Sequence, residues 1–89
     1  MSDFLEPHPD VFARRIGEEV LLVHLGRSEI FSLNSTAGRL WELVSQGDSL
    51  TAAAARLAAE YEVDEAQLRT EVDTLVTRFT EEGLLRQRS

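Results

Sequence analysis

The stretch that most constrains this fold is residues 30–41, IFSLNSTAGRLW, where a short apolar strand pattern runs directly into a helix pattern. Before it, apolar residues cluster as in short strands, and after it they recur at helical spacing. Asn34 or Ser35 can cap the helix that starts here, because their side-chain oxygens accept a hydrogen bond from a free backbone N–H. The chain therefore divides into an N-terminal sheet half and a C-terminal helical half.

The sheet half contains three short strand patterns, at Val11–Ile16, residues 20–25 and Glu29–Leu33. Turn signals at residues 17–18 and 26–28 separate them, which predicts an antiparallel meander. Phe31 and Leu33 of the third strand are expected to face the core. Because no later strand follows, the outer edge of this third strand is either an aggregation hazard or a docking site.

The helical half contains three amphipathic patterns. The first places Trp41 on an apolar face and ends near Gly47, the second is capped by Thr51, and the third begins at Asp64 and ends near Gly83. The core stripe of the third helix comprises Leu68, Val72, Leu75, Val76 and Phe79. The predicted fold class is α+β, winged helix-turn-helix-like: a three-stranded antiparallel meander followed by three helices. We expect a flexible N-terminal arm over residues 1–10, a single domain over residues 11–85 and a C-terminal tail over residues 86–89.

Composition excludes several classes of function. The chain has no cysteine and a net charge of −7, which disfavours thiol chemistry, nucleic acid and anionic membranes. It carries neither a signal-peptide pattern nor an apolar run of membrane-spanning length, so we expect a cytoplasmic protein. His8 and His24 lack a metal-ligand spacing, and no nucleophile elbow or phosphate loop is present. We therefore expect no enzyme activity, no catalytic residue, no metal and no cofactor.

DNA binding remains an alternative because the second and third helices resemble a helix-turn-helix. The third helix opposes this function, since its acidic residues outnumber its two arginines and a groove-reading helix needs basic residues near phosphate. The acidic residues are Asp64, Glu65, Glu71, Asp73, Glu81 and Glu82, and the arginines are Arg69 and Arg78. Another kind of protein-interaction module is the remaining alternative.

An exposed strand edge beside a long helix favours peptide binding by β-augmentation, in which an extended peptide adds a strand to the sheet. The helical wheel leaves two flanks of the third helix beside its core stripe. One carries Arg69, Asp73, Val76 and Thr80, and the other carries Glu71, Arg78 and Glu82. Either flank could line a groove. The flank with Val76 is our prediction, because it offers an apolar contact bordered by both charge signs.

The chain resembles the PqqD-like family, the recognition elements that bind leader peptides of ribosomally synthesised, modified peptides (RiPPs). The resemblance covers roughly residues 11–85 and rests on EVLLVHL at residues 19–25, FSLNSTAGRLW at residues 31–41, and residues 57–85 with EYEVDEAQL and EEGLL. Within the family, the stand-alone form is most similar to the leader-binding proteins of split lasso-peptide systems. The junction of strand, Leu-Asn, small residue and helix is its most specific part.

The resemblance implies a non-catalytic domain that captures a precursor's leader as an added antiparallel strand between the third strand and the third helix. It further implies as partners a cysteine-protease-like leader peptidase and an ATP-dependent cyclase, without nucleic acid or membrane. The implied leader-binding residues are Glu29, Ile30, Phe31, Ser32, Leu33, Arg69, Val72, Asp73, Val76 and Thr80. We expect a monomer, or a dimer paired through the edge of the third strand.

Overall fold

The elements of the chain change from strands to helices at residue 34, as residues 30–41 predict. The structure, a computed structural model, describes residues 3–88. Its elements are β1 (Leu5–Pro7), β2 (Val11–Ile16), β3 (Glu19–His24), a 3-10 turn (Leu25–Arg27), β4 (Glu29–Leu33), α1 (Ser35–Ser45), α2 (Leu50–Tyr61), α3 (Glu65–Glu81) and β5 (Leu85–Gln87). β2, β3 and β4 pair as an antiparallel meander in that order. The predicted α+β class, with a meander followed by three helices, is confirmed.

The β2–β3 hairpin fixes the direction of the backbone groups in the meander. Ile16 pairs with Glu19 across a loop of only two residues, so this pair carries the hydrogen bonds that close the hairpin. Gly17 begins the loop with a φ of 63°, a value that the primed turns of two-residue hairpins require and that glycine adopts without strain.

Hydrogen-bonding groups alternate in direction along a strand, so those of residues 20, 22 and 24 in β3 point toward β4. A 3.0 Å hydrogen bond from the N–H of Leu25 to the C=O of Asp10 fits this alternation, because it lies just beyond the last β2–β3 pair. The unbroken β3–β4 register carries the alternation into β4. The N–H and C=O groups of Ile30 and Ser32 therefore point away from β3, toward the free edge.

Each helix begins at a side chain that accepts a hydrogen bond from a first-turn N–H. The caps are Asn34 for α1, Ser49 for α2 and Asp64 for α3. The predicted caps Asn34 and Asp64 are confirmed, whereas Thr51 is wrong as the cap of α2. Ser49 takes that role because α2 starts earlier, and the Thr51 hydroxyl accepts a 3.2 Å hydrogen bond from Arg69 instead.

The core lies between the inner face of the meander and the three helices. Trp41 is only 3% exposed and meets the Phe79 ring edge-on, with 5.6 Å between ring centroids, so its predicted core role is confirmed. Gly38 lets α1 approach β3 closely, since a Cβ at this position would lie 2.8 Å from the Val20 side chain. Leu33 is buried, as predicted, so the end of β4 is anchored to this core.

A second small sheet was not predicted. β1 pairs antiparallel with β5, so parts of the predicted flexible arm (residues 1–10) and of the C-terminal tail (residues 86–89) form a two-stranded ribbon. Leu5 is buried in the core, and the N–H of Leu50 donates a 2.8 Å hydrogen bond to the C=O of Asp3. Strands of three residues are too short to show a period in sequence. Residues 1, 2 and 89 of the predicted arm and tail lie outside the described residues.

Candidate peptide-binding groove

The outer edge of β4 is open. Within residues 3–88 no strand pairs with this edge, and Ile30 is 71% exposed. The Ser32 hydroxyl is already engaged on the outer face of the sheet, where it donates a 2.9 Å hydrogen bond to the Glu19 carboxylate. The backbone N–H and C=O of Ile30 and Ser32 are thus the groups that this edge offers to another chain.

One flank of α3 lies across a depression from the end of β4. We call it the Leu75 flank, and it comprises Glu71, Thr74, Leu75 and Arg78. A depression of about 410 Å³ lies between it and the residues that follow β4; its lining residues are Asn34, Thr36, Thr70, Glu71, Thr74 and Leu75. Phe31 of β4 and Leu75 of α3 are both half-buried at the margin of the core. Edge and flank together form a groove with apolar residues at its base.

The two ends of the groove are held differently. At one end β4 continues directly through Asn34 into α1, so the spacing there is set by the chain itself. At the other end Arg27, in the 3-10 turn, donates a hydrogen bond to the C=O of Glu82 just past α3. Its Nε also lies 3.4 Å from a carboxylate oxygen of Glu29, the first residue of β4.

The groove continues past the start of α1. A second depression, of about 330 Å³, shares two lining residues with the first; its lining residues are Thr36, Tyr61, Val63, Gln67, Leu68 and Glu71. Tyr61 and Val63 are exposed at 40% and 45%. A bound chain longer than β4 would therefore meet further apolar surface beyond Asn34.

The flank of α3 predicted to line the groove, with Val76, lies beside a different part of the structure. The opposite side of α3, which we call the Val76 flank (Arg69, Asp73, Val76, Thr77 and Thr80), faces the β1–β5 ribbon. A separate depression of about 230 Å³ lies on that side; its lining residues are Leu5, Val76, Thr77, Thr80, Glu81 and Gln87. Val76 is only 6% exposed, and Val72 is fully in the core at 1%.

Arg69 and Asp73, also predicted for the groove, are engaged with each other and with the N-terminal segment. Arg69 Nε donates a 3.1 Å hydrogen bond to Asp73, and another guanidinium nitrogen lies 3.7 Å from a carboxylate oxygen of Asp3. The structure thus brings Glu29, Ile30, Phe31, Ser32 and Leu33 together at the groove. It places Arg69, Val72, Asp73, Val76 and Thr80 away from it. A helical wheel of α3 shows two equivalent flanks beside the core stripe. The packing of the β1–β5 ribbon against one of them distinguishes the two flanks.

Neither histidine lines the two depressions of the groove. His8 and His24 lie far from each other in sequence, yet their rings are in contact at 4.8 Å between centroids. His24 is buried, and its Nδ1 lacks a hydrogen-bond partner. In the described part of the chain, no three His, Asp or Glu side chains are grouped to hold a metal ion. No helix there is long and apolar enough to cross a bilayer.

Comparisons with known proteins agree with this architecture. The family profile described as coenzyme PQQ synthesis protein D (PqqD) matches residues 19–85. A solved structure described as TbiB1 in complex with the TbiA(beta) leader peptide has a TM-score of 0.89 and 24% identity, over 94% of this chain and 98% of that one. A lasso peptide synthetase B1 complexed with the leader peptide has a TM-score of 0.84 and 24% identity, over 92% and 96%. No curated protein sequence matches the chain significantly.

Proposed function

The chain belongs to the PqqD family, and on that premise we propose that it is a non-catalytic leader-peptide-binding protein of RiPP biosynthesis, acting in a lasso-peptide pathway. The observation that carries the proposal is the open edge of β4 beside the Leu75 flank of α3. The fold shared with two B1 chains that were solved with leader peptides supports it further.

The leader would bind as a fourth antiparallel strand of the meander. Its backbone would pair with the N–H and C=O groups of Ile30 and Ser32, while its inward side chains would rest on Phe31 and Leu75. Four such hydrogen bonds contribute about 2–6 kcal/mol, at about 0.5–1.5 kcal/mol each. Micromolar affinity needs about 8 kcal/mol, so apolar contacts at the base of the groove must supply the difference.

Binding in this direction would also orient the rest of the precursor. An antiparallel strand beside β4 runs from the Asn34 end of the groove toward the Arg27 end. The segment after the leader would therefore emerge near the 3-10 turn and the end of α3. A cysteine-protease-like leader peptidase and an ATP-dependent cyclase would act on the precursor there, with this chain serving to hold and present it.

The proposal is tested with synthetic leader peptides of any short precursor that is found encoded beside this gene. We expect titration calorimetry to give a Kd of about 10 μM or tighter. Backbone hydrogen exchange should slow at Ile30 and Ser32 in the complex and change much less at Phe31, whose N–H already points toward β3. This alternation is specific to strand addition.

Two outcomes would overturn different parts of the proposal. The absence of detectable binding at about 100 μM peptide would contradict leader recognition, because the binding free energy would then be weaker than about 5.5 kcal/mol. Binding that leaves exchange at Ile30 and Ser32 unchanged while slowing it elsewhere would retain leader recognition but reject addition of a strand to β4.

A further inference from the structure

Arg27 joins the start of β4 to the end of α3 through two observed contacts and a close approach to Gly83. It donates a hydrogen bond to the C=O of Glu82 and lies in ion-pair distance of Glu29. Its guanidinium also passes over Gly83, where a Cβ would lie only 2.9 Å from Arg27 Nη1. The side chain therefore lies close to the end of the helix.

The hydrogen bond from Arg27 to Glu82 holds the end of the groove at which no direct chain connection sets the spacing. In the part of the chain that the structure describes, the bond from Arg27 to Glu82 is the hydrogen bond that links the β3–β4 connection to α3. The backbone bond of the turn, from Leu25 to Asp10, ties it to the start of β2 and so does not fix its distance from the helix.

We propose that Arg27 is a positioning residue that sets the width of the groove between β4 and α3; this inference rests on the proposed leader-binding function. A strand added to β4 must lie about 4.8 Å from β4 while its side chains touch α3. A small change in the distance between β4 and α3 therefore removes either the backbone hydrogen bonds to β4 or the side-chain contacts to α3. Loss of Arg27 would reduce the fraction of molecules with the correct spacing. The apparent affinity for the leader would fall by the same factor.

The chemistry of the contact favours arginine over lysine. The planar guanidinium has several N–H donors, so it reaches the carbonyl of Glu82 and the carboxylate of Glu29 together. A positive charge is also favourable at the C-terminal end of a helix. Lysine would keep the charge but could not hold both partners in this geometry. Arg27→Lys should therefore retain part of the function.

The first test compares the Kd values of the wild type, Arg27→Gln and Arg27→Lys for the synthetic leader peptide that the wild type binds, well below the unfolding temperature. We expect Arg27→Gln to weaken binding at least tenfold and Arg27→Lys to fall between it and the wild type. The matched control is Arg86→Gln, which removes the 3.1 Å ion pair with Glu6 on the β1–β5 ribbon and should leave the Kd unchanged.

A second measurement separates groove width from general stability. Because the chain has no cysteine, nitroxide labels can be attached at Val23→Cys, on the outer face of β3 beside Ile30, and at Glu81→Cys on α3. We expect Arg27→Gln to broaden the distance distribution between the two labels and bound leader to narrow it again. Arg86→Gln should leave the distribution sharp.

The outcomes distinguish this inference from the function on which it rests. A wild type that binds no leader contradicts the proposed function. A wild type that binds, combined with an Arg27→Gln variant of equal affinity and an equally sharp distribution, overturns only the role of Arg27. A lower melting temperature without a change in Kd would likewise reduce Arg27 to a structural contact.

Discussion

At the scale of single residues, the groove depends on side chains that are partly buried and partly exposed. Leu75 and Phe31 pack against the core on one side and remain partly exposed on the other. An incompletely buried apolar side chain can gain about 25 cal/mol for each Å² that a ligand covers. Val76, by contrast, is already buried beneath the β1–β5 ribbon and has little left to gain.

We predict that Leu75→Glu weakens leader binding at least tenfold without unfolding the domain. The new carboxylate would lie at the base of the groove, where a bound peptide would remove it from water. Binding is measured by titration calorimetry and folding by circular dichroism. Thr77→Glu, an equal addition of charge on the Val76 flank, should keep wild-type affinity. Equal weakening by both variants would contradict the assignment of the Leu75 flank.

At the scale of elements, the open edge of β4 offers hydrogen bonds at every second residue. The two-residue β2–β3 loop determines which residues these are. It fixes which residues of β2, β3 and β4 direct their backbone N–H and C=O groups to either side. Of the five β4 residues that the family resemblance implies for leader binding, Ile30 and Ser32 therefore direct their backbone hydrogen-bonding groups outward. Glu29, Phe31 and Leu33 direct their backbone groups to β3 and contribute side chains to the inner face.

We predict that Ser32→Pro weakens leader binding about tenfold or more, since proline removes the outward N–H and places its ring on the edge. Ser32→Ala is the matched control: it removes the hydroxyl bonded to Glu19 but keeps the N–H, so its affinity should equal that of the wild type. Both are compared by titration calorimetry. Equal affinity of Ser32→Pro and Ser32→Ala would exclude a ladder bond at this residue.

The sequence predicts the local elements of this molecule better than their mutual placement. The strand patterns, the caps Asn34 and Asp64 and the core position of Trp41 depend on neighbouring residues, and all are confirmed. The β1–β5 ribbon joins residues from opposite ends of the chain, and short strands carry no periodic signal. The placement of the two flanks of α3 depends on that ribbon, so a helical wheel alone does not tell them apart.

At the scale of the whole molecule, a network of charges joins the sheet to the helices. Arg15 of β2 makes hydrogen bonds of 2.7 and 2.9 Å with the Glu42 carboxylate of α1. Arg39 of α1 makes two of 3.0 Å with Glu60 of α2 and lies 3.7 Å from Glu42. These hydrogen bonds from arginine hold the pKa values of the Glu42 and Glu60 carboxyls below their usual range.

We predict that this network stabilises the fold in full only above about pH 4.3, the ordinary pKa of glutamate. A lowered pKa in the folded state means that the unfolded chain takes up protons first, so the stabilisation is lost as the pH falls through the folded pKa values. Thermal melts should show Glu42→Gln less stable than the wild type at pH 7 and equal to it near pH 2. Glu18→Gln, which changes an exposed acid in the β2–β3 loop, is the control. An equal deficit at both pH values would contradict the linkage.

The net charge of −7 also separates the proposed function from DNA binding. A DNA complex is held by phosphate contacts and weakens steeply with salt, whereas a complex held by backbone hydrogen bonds and apolar contacts does not. We predict that the Kd for the leader changes by less than about threefold between 50 and 500 mM salt. The same titrations with duplex DNA should show no binding. Salt-sensitive binding of DNA would favour the winged-helix regulator instead.

The β1–β5 ribbon has a topological consequence for the chain. The N–H of Arg88 donates a 3.2 Å hydrogen bond to the C=O of Phe4, and its guanidinium lies 4.6 Å from the centroid of the Phe4 ring. Residues 4 and 88 thus occupy one corner of the surface, on the Val76 flank of α3. A domain of residues 4–88, closed by a short linker between them and opened in the loop at Gly47, would be a circular permutant that keeps every element. A second protein fused at this corner would likewise remain clear of the groove.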